Sequence, residues 1–224
     1  MSASIRYRYL ELLGSAFIAV LIISNIIAVK IGDFGGLFLP VAVIVFPVSY
    51  ILADVLTEVY GYSAMRRVIW TGFLCNLLVV AVIAIALKVP SAPFYQGQEA
   101  FSVVLGATPR ILVASFIAYL VGSFSNSMIL AKLKVKTAGR FLWLRTISST
   151  VVGEALDSVL FITIAFYGVF PNEQIVTLIA TQWAFKTVFE IIATPITYIV
   201  VGALKRAEKA DHFDTATNLN PLAF

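Results

Sequence analysis

The sequence lacks most of the side chains on which enzymes and disulfide-rich proteins depend. It contains one cysteine, Cys75, and one histidine, His212, among 224 residues. A single cysteine excludes a disulfide framework and a cysteine-based metal site within one chain. His212 lies in the polar C-terminal stretch ADHFDTATNLNPLAF, which we expect to be poorly ordered. No HExxH motif, Ser–His set or glycine-flanked catalytic aspartate is present, so we expect no enzyme, no metal and no cofactor.

Charged residues are also scarce, at 12%, whereas hydrophobic residues make up 60% of the chain. A soluble core of this size could not bury that much apolar surface. The net charge of +4 does not indicate a nucleic-acid partner, because the cytoplasmic loops of membrane proteins collect Lys and Arg. We therefore expect an all-α polytopic membrane protein that has the lipid bilayer as its partner and binds no nucleic acid.

Six apolar runs are long enough to cross the hydrocarbon core, which requires about 20 residues. They cover roughly 10–30, 37–59, 67–88, 110–131, 146–169 and 174–204. This predicts a single six-helix domain over 10–205, an N-terminal segment 1–9 and a tail 206–224. The connection 89–109 is typical of a short interfacial helix or lid, or of a plain solvated loop.

Cations in the connections predict the orientation of these spans. Connections on the side opposite the termini hold only Lys30, Lys88 and Arg110. Connections on the side of the termini hold twelve cations, which are Arg6, Arg8, Arg66, Arg67, Lys132, Lys134, Lys136, Arg140, Arg145, Lys205, Arg206 and Lys209. By the positive-inside rule, both termini are predicted to be cytoplasmic.

Besides Glu11 and the cations at the span ends, the predicted spans contain six charged residues, namely Asp54, Glu58, Glu154, Asp157, Lys186 and Glu190. Asp54 and Glu58 share one helix face, and Glu154 and Asp157 share another. Because each charge at a helix centre costs roughly 2.5 to 3.5 kcal/mol, we expect these residues to converge on a wet pocket inside the bundle. Paired acids in the middle helix of each half also suggest a 3+3 inverted repeat.

Simpler arrangements of the same charges remain open. Asp54 and Glu58 could pair with Arg66, Arg67 or Arg145 near the cytoplasmic surface, and Lys186 could satisfy Glu190 along its own helix. Five acids cannot all be neutralised by one lysine. Either some carboxylates carry a proton, or the pocket accepts a donor-rich guest. A flat ring with several N–H donors fits, since a carboxylate can accept two parallel hydrogen bonds.

Three motifs resemble the queuosine precursor transporter family, bacterial inner-membrane proteins of the vitamin uptake transporter type. The motifs are ADVLTEVYGYSAMRRVIWTGFLCN (53–76), VVGEALDSVLF (151–161) and WAFKTVFEIIATP (183–195). The resemblance covers about 10 to 205. It implies import of 7-deazaguanine bases, the cyano form preQ0 and the aminomethyl form preQ1, for tRNA modification salvage. It also implies a likeness to the substrate-binding subunits of energy-coupling-factor importers.

Carried over by position, the resemblance implies a substrate site and a gate. Glu154 is expected to accept the ring N–H and exocyclic amine of the base, and Asp157 to meet the aminomethyl cation or to lend charge. Lys186 is expected to donate to the exocyclic oxygen or to hold Glu190. Asn25 and Gln182, which the resemblance does not supply, would complete the edge contacts. The substrate site comprises Glu154, Asp157, Ser158, Lys186, Glu190, Gln182 and Asn25, and the gate or proton relay comprises Asp54, Thr57, Glu58 and Tyr60.

Other functions and assemblies stay open on the sequence. The chain could be the substrate-binding subunit of an ATP-driven vitamin importer, or a proton-coupled carrier for another small cationic or heterocyclic solute. Small residues at Ala118, Gly122 and Ser125 would permit close helix packing within one chain or in a homodimer.

Overall fold

The computed structural model describes residues 7–28, 30–34, 38–106 and 109–223. Over these residues the chain forms α-helices, one short antiparallel hairpin and a 3-10 helix, Val41–Ile44. The elements are α1 Leu10–Ile27, β1 Ile31–Asp33, β2 Phe38–Pro40, α2 Phe46–Tyr60, α3 Tyr62–Lys88, α4 Gln98–Leu105, α5 Pro109–Lys136, α6 Leu142–Phe166 and α7 Asn172–Glu208. The connection predicted to be an interfacial helix or a loop contains α4, which has no buried residue.

Five of the described helices are long and apolar enough to cross a membrane. These segments are Leu10–Ile27, Tyr62–Lys88, Val113–Lys136, Leu142–Phe166 and Asn172–Glu208. Their outer faces carry many exposed large hydrophobic side chains, as expected where lipid takes the place of water. The expectation of a helical, multi-pass membrane protein is therefore confirmed.

The second predicted span, 37–59, is not one continuous helix. Strand β2 and the 3-10 helix occupy its first part, and α2 begins only at Phe46. Proline fits the first turn of a helix but not its interior, because it has no N–H donor, and Pro47 lies in the first turn of α2. With 15 residues, α2 is about 22 Å long at 1.5 Å per residue. An apolar run alone does not distinguish a strand from a helix, so this break could not be predicted from the local pattern.

Helix α2 lies at the centre of the bundle and packs against α1, α3, α5 and α7. Its C-terminal half is almost entirely enclosed, and the side chains of Val55, Leu56 and Val59 are fully buried. Its two acids therefore sit among neighbouring helices rather than facing lipid.

Helices α5 and α6 approach each other at two facing glycines. A Cβ added at Gly122 would lie 2.9 Å from the Cβ of Asp157 and 3.1 Å from the carbonyl oxygen of Gly153. A Cβ added at Gly153 would lie 2.8 Å from the Cβ of Asn126. Small residues allow helix backbones to approach in this way. The small-residue face of α5 is thus used, at Gly122, for packing within the chain.

Both ends of the described chain meet at one end of the bundle. The carboxylate of Glu208, at the end of α7, accepts hydrogen bonds from the backbone N–H groups of Arg8 at 2.9 Å and Tyr9 at 2.6 Å. It also accepts one from the hydroxyl of Tyr60 at 2.9 Å. The start of α1 and the ends of α2 and α7 therefore lie together.

The C-terminal segment, defined here as residues 210–223, packs against this same end, and the expectation of a poorly ordered tail is wrong. The carboxylate of Asp214 accepts the backbone N–H of Tyr62 at 3.0 Å, at the first residue of α3. The first N–H groups of a helix have no partner within it, so such an acceptor is favourable. Further along, Arg66 donates to the carbonyl oxygens of Asn218 and Asn220, each at 2.9 Å.

Candidate functional site

Two clusters of charged residues lie in the bundle, and they share three helices. The internal cluster consists of Asp54 on α2, Glu154 and Asp157 on α6, and Lys186 and Glu190 on α7. The terminal cluster consists of Glu58 on α2, Lys134 on α5, Arg145 on α6, Lys205 on α7, and Asp211 of the C-terminal segment. The two acids of α2 are one helical turn apart, yet each belongs to a different cluster.

Glu58 is the centre of the terminal cluster, and its side chain is 0% exposed. Its carboxylate accepts two hydrogen bonds from the guanidinium of Arg145, at 2.7 and 3.2 Å, and one from Lys205 at 2.7 Å. The Nζ of Lys134 lies 3.6 Å from the same carboxylate. Planar two-point pairing with arginine is the strongest form of carboxylate recognition in proteins. The pairing of Glu58 with Arg145, which the sequence left open as the simpler alternative, is therefore confirmed.

Asp211 completes the terminal cluster from outside the helices. Its carboxylate lies 2.5 Å from the Nζ of Lys134 and 2.8 Å from that of Lys205. Partial burial raises the pKa of Asp211, but the hydrogen bonds and charges of the two lysines outweigh this and hold the pKa below its usual range. The C-terminal segment is thus held to the bundle by charge as well as by backbone contacts.

The internal cluster is organised around Lys186, which is buried on α7. Its Nζ lies 2.7 Å from the carboxylate of Glu154 and 2.5 Å from that of Asp157. The alternative in which Lys186 satisfies Glu190 along α7 is therefore wrong, because its ammonium points to α6 instead. The ring of Tyr50 lies beside it, with the ring centre 5.9 Å from Nζ.

Two carboxylates of the internal cluster have no cationic partner among the described residues. Asp54 accepts one hydrogen bond from the side-chain amide of Asn126 at 2.9 Å, and its other oxygen has no partner. Glu190 is 0% exposed, and neither of its oxygens has a hydrogen-bond partner in the described chain. Asp54 lies close enough to Glu190, and Glu190 to Glu154, for their carboxyl groups to interact electrostatically. Buried acceptors without donors are costly and mark a place for a ligand, water or proton.

The remaining predicted residues divide between these clusters and ordinary helix contacts. Ser158 is fully buried and its hydroxyl has no partner among the described residues. Thr57 donates to the carbonyl oxygen of Ala53 on its own helix at 2.9 Å. Asn25 donates to Asn76 of α3 at 2.7 Å, which is a contact between α1 and α3. Gln182 is half-buried one turn before Lys186, and Tyr60 belongs to the contact with Glu208.

Sequence reasoning missed residues that complete both clusters. Tyr50, whose ring lies beside the ammonium of Lys186, lies one turn before Asp54, so helical spacing could have identified it. Asn126 lies in the run GSFSNS, whose small polar residues are typical of helix contacts, yet its amide also serves Asp54. Lys134 and Lys205 resemble ordinary loop cations, because nothing in the local sequence indicates that their ammonium groups fold back onto Glu58.

Two apolar hollows lie apart from these charges. One, of about 450 Å³, lies between α6 and α7 and is lined by Ala155, Val159, Val176, Ile179, Ala180 and Trp183. The other, of about 290 Å³, is lined mainly by α5, with Trp70 of α3 and Pro221 at its edge. No carboxylate lines either hollow. The wet pocket expected among the acids therefore stays a prediction.

Comparison with known proteins identifies the family of this chain. Residues 40–200 match the family model described as "Putative vitamin uptake transporter". The chain is 24% identical over 188 residues to the "Probable queuosine precursor transporter" of Bacillus subtilis (strain 168), covering 84% of this chain and 82% of that one. It is 27% identical over 150 residues to the "Queuosine precursor transporter" of Escherichia coli (strain K12), covering 66% and 65%. No solved structure matches the chain.

The matched residues begin just before α2 and extend into the second half of α7, so they include every residue of the internal cluster. The described helices and their apolar surfaces agree with a protein that works within the bilayer. The family inferred from the three motifs is thereby confirmed, and this chain belongs to the vitamin uptake transporter family.

Proposed function

We propose that this protein imports queuosine precursors, the 7-deazaguanine bases preQ0 and preQ1, across the bacterial inner membrane for tRNA modification salvage. Family membership and the names of the relatives support this substrate class. The observation on which the proposal chiefly depends is Glu190, a fully buried carboxylate with two acceptor oxygens that no described donor fills.

A guanine-like edge has the donors that Glu190 lacks. Its ring N–H and exocyclic amine are adjacent and parallel, so a carboxylate can accept both at once. Glu154, favoured for this role on the sequence, is already held 2.7 Å from the ammonium of Lys186. We therefore assign the base edge to Glu190 and give Glu154 the role of orienting Lys186.

The other charges of the internal cluster have complementary roles in this proposal. Lys186 has three ammonium hydrogens and can donate to the exocyclic oxygen of the base while it keeps its acids. The side chain of Asp157 is 20% exposed, more than that of Lys186, and can meet the aminomethyl cation of preQ1. Asp54 has one carboxylate oxygen without a donor among the described residues and serves as the gate or proton relay.

We further propose a six-span topology with both termini in the cytoplasm. In this arrangement the five long apolar helices make five crossings. The remaining crossing, second in chain order, is made by α2 together with the hairpin and 3-10 helix before it. The meeting of Glu208 with Arg8 supports termini on one side, as an even number of crossings requires. The paired acids of α2 and α6 also favour a 3+3 inverted repeat and a likeness to energy-coupling-factor binding subunits.

The test is uptake of radiolabelled preQ0 by cells that lack their own synthesis pathway and transporter. Replacing Glu190→Gln removes one charge-assisted acceptor, which is worth about 1.5 to 3 kcal/mol, so affinity should fall roughly tenfold to a hundredfold. Glu173→Gln is the matched control, because Glu173 is exposed in the first turn of the same helix. Normal uptake by Glu190→Gln would contradict the assignment of the base edge.

Reconstitution distinguishes this function from its alternatives. Purified protein in liposomes should take up preQ0 without an ATPase, whereas a substrate-binding subunit of an ATP-driven importer should not. Competition by guanine, deazaguanines and unrelated vitamins then measures the substrate class. Preference for an unrelated cation would favour the carrier for another solute.

A further inference from the structure

We propose that the C-terminal segment acts as a strap that holds the terminal cluster shut, and that this cluster is the inner gate of the transporter. The role as a gate depends on the proposed transport function. The closure itself is a property of the structure and can be measured without substrate. Four observations support it: the position of the cluster, the contacts of the strap, the space made for it, and its partial exposure.

The terminal cluster lies between the internal cluster and the end of the bundle where the termini meet. On α7, Glu190, Thr197 and Lys205 lie close to one helix face, since steps of seven and eight residues each complete about two turns. Thr197 is fully buried about 10 Å beyond Glu190. A solute leaving Glu190 along this face must pass the level at which Lys205 meets Glu58 at 2.7 Å.

The same cluster ties four helices together at this level. Glu58 from α2 joins Arg145 from α6 and Lys205 from α7. Lys134 from α5 donates to the backbone carbonyl oxygen of Glu58 at 2.5 Å. Separation of these helices therefore requires that the ion pairs around Glu58 break.

The strap fastens the cations of that cluster from outside. Asp211 pairs with both Lys134 and Lys205, on α5 and α7. The next residue, His212, accepts a hydrogen bond from Lys134 through its carbonyl oxygen at 2.7 Å and donates its N–H to the carbonyl oxygen of Val59 at 3.3 Å. Two consecutive residues thus connect α2, α5 and α7, and the downstream contacts with Arg66 extend the strap along α3.

Two glycines in the turns make room for the strap. Gly61, between α2 and α3, has φ of +83°, and a Cβ there would lie 2.2 Å from a ring carbon of His212. Gly139, after α5, has φ of +76°, and a Cβ there would lie 3.0 Å from the ring of Phe213. Both turns favour glycine through their backbone, and both also leave space that the strap fills. The ring of Phe213 in turn lies 4.7 Å from the ammonium of Lys134.

The ion pairs of Asp211 help to order the strap, but they are exposed enough to water for the strap to be released. The side chain of Asp211 is 45% exposed, whereas that of Glu58 is 0% exposed. Water can therefore replace Asp211 on its lysines at small cost, which lets the strap respond before the buried pairs do. Opening would begin at Asp211 and proceed to Glu58.

A single reporter cysteine measures the closure directly. Thr197→Cys, introduced together with Cys75→Ala, places the thiol between the two clusters, on the face of α7 that carries Glu190 and Lys205. The full-length protein is placed in nanodiscs and treated with a membrane-impermeant maleimide, and the labelling rate is compared between strap variants. Asp211→Asn should raise the rate about two- to tenfold, as expected for loss of partly exposed ion pairs. Thr215→Ala is the matched control, because Thr215 is exposed on the same segment and should leave the rate unchanged.

A second variant keeps the test decisive. A stop after Lys209 removes the whole strap and should raise the labelling rate at least as much as Asp211→Asn, with the protein still monodisperse and folded. Equal labelling rates for the full chain, Asp211→Asn and the truncated chain would overturn the proposal. If the labelling rate responds to the strap variants but the protein takes up no preQ0, the proposed gate is supported and the proposed substrate is wrong.

Discussion

Neutralising the two acids of α2 one at a time should have opposite effects on stability. Glu58→Gln and Asp54→Asn each replace a carboxylate by an amide of nearly the same shape, one helical turn apart. Glu58 is fully buried with Arg145 at 2.7 Å, and Arg145 is itself only 1% exposed. One carboxylate oxygen of Asp54 accepts a hydrogen bond from Asn126, and the other has no donor among the described residues.

The magnitude follows from what each substitution leaves behind. Glu58→Gln leaves the guanidinium of Arg145 buried without its anion, and breaking a buried pair in this way costs about 3 to 5 kcal/mol. For a chain of this size that corresponds to a fall in Tm of about 6 to 20 °C. Asp54→Asn instead removes a buried carboxyl group that has no cationic partner among the described residues, and its new N–H can donate to the amide oxygen of Asn126, which has no donor there. Its Tm should stay the same or rise.

Thermal unfolding in one detergent, followed by tryptophan fluorescence, tests this contrast. Glu99→Gln serves as the control, because Glu99 is exposed on α4 and should not change Tm. Equal shifts for both α2 variants, or a shift below about 2 °C for Glu58→Gln, would refute the division of these acids between two clusters. Under the proposed function, Asp54→Asn should still lower preQ0 uptake, because it removes the acid proposed as gate or proton relay.

Three further outcomes are expected. Gly122→Val should destabilise the protein by about 1 to 3 kcal/mol, measured as a lower Tm and folded yield, because its Cβ would lie 2.9 Å from that of Asp157. Gly202→Ala should raise Tm by a few degrees, because no neighbouring side chain of the described residues lies within 4 Å of a Cβ built there and alanine favours the helix by about 0.5 to 1 kcal/mol. Acid should release the C-terminal segment: since the pKa of Asp211 is held low by its lysines, its contribution is present above about pH 4 and is lost as pH falls through that lowered pKa. Hydrogen exchange over 210–221 should increase accordingly, and exchange that does not change with pH would contradict it.

Sequence alone was sufficient for the class of protein and for the charged residues of the internal cluster. Hydrophobicity and charge are properties of single residues and short runs, so the membrane class, five long helices and the residues of the internal cluster follow from local pattern. The motifs around Asp54, Glu154 and Lys186 also identified the family. The break before α2 was missed, because β2 and the 3-10 helix lie within the same apolar run.

Only the tertiary structure decided which charges pair. Helical spacing places Asp54 and Glu58 on one face of α2. It does not predict that the ends of α5, α6 and α7 surround Glu58 and not Asp54. Glu58 is contacted by Lys134, Arg145 and Lys205, which are separated from it by 76, 87 and 147 positions in the chain. Such contacts depend on how helices pack rather than on local pattern, so Glu58 lies in an ion-paired cluster while Asp54 has no cationic partner among the described residues.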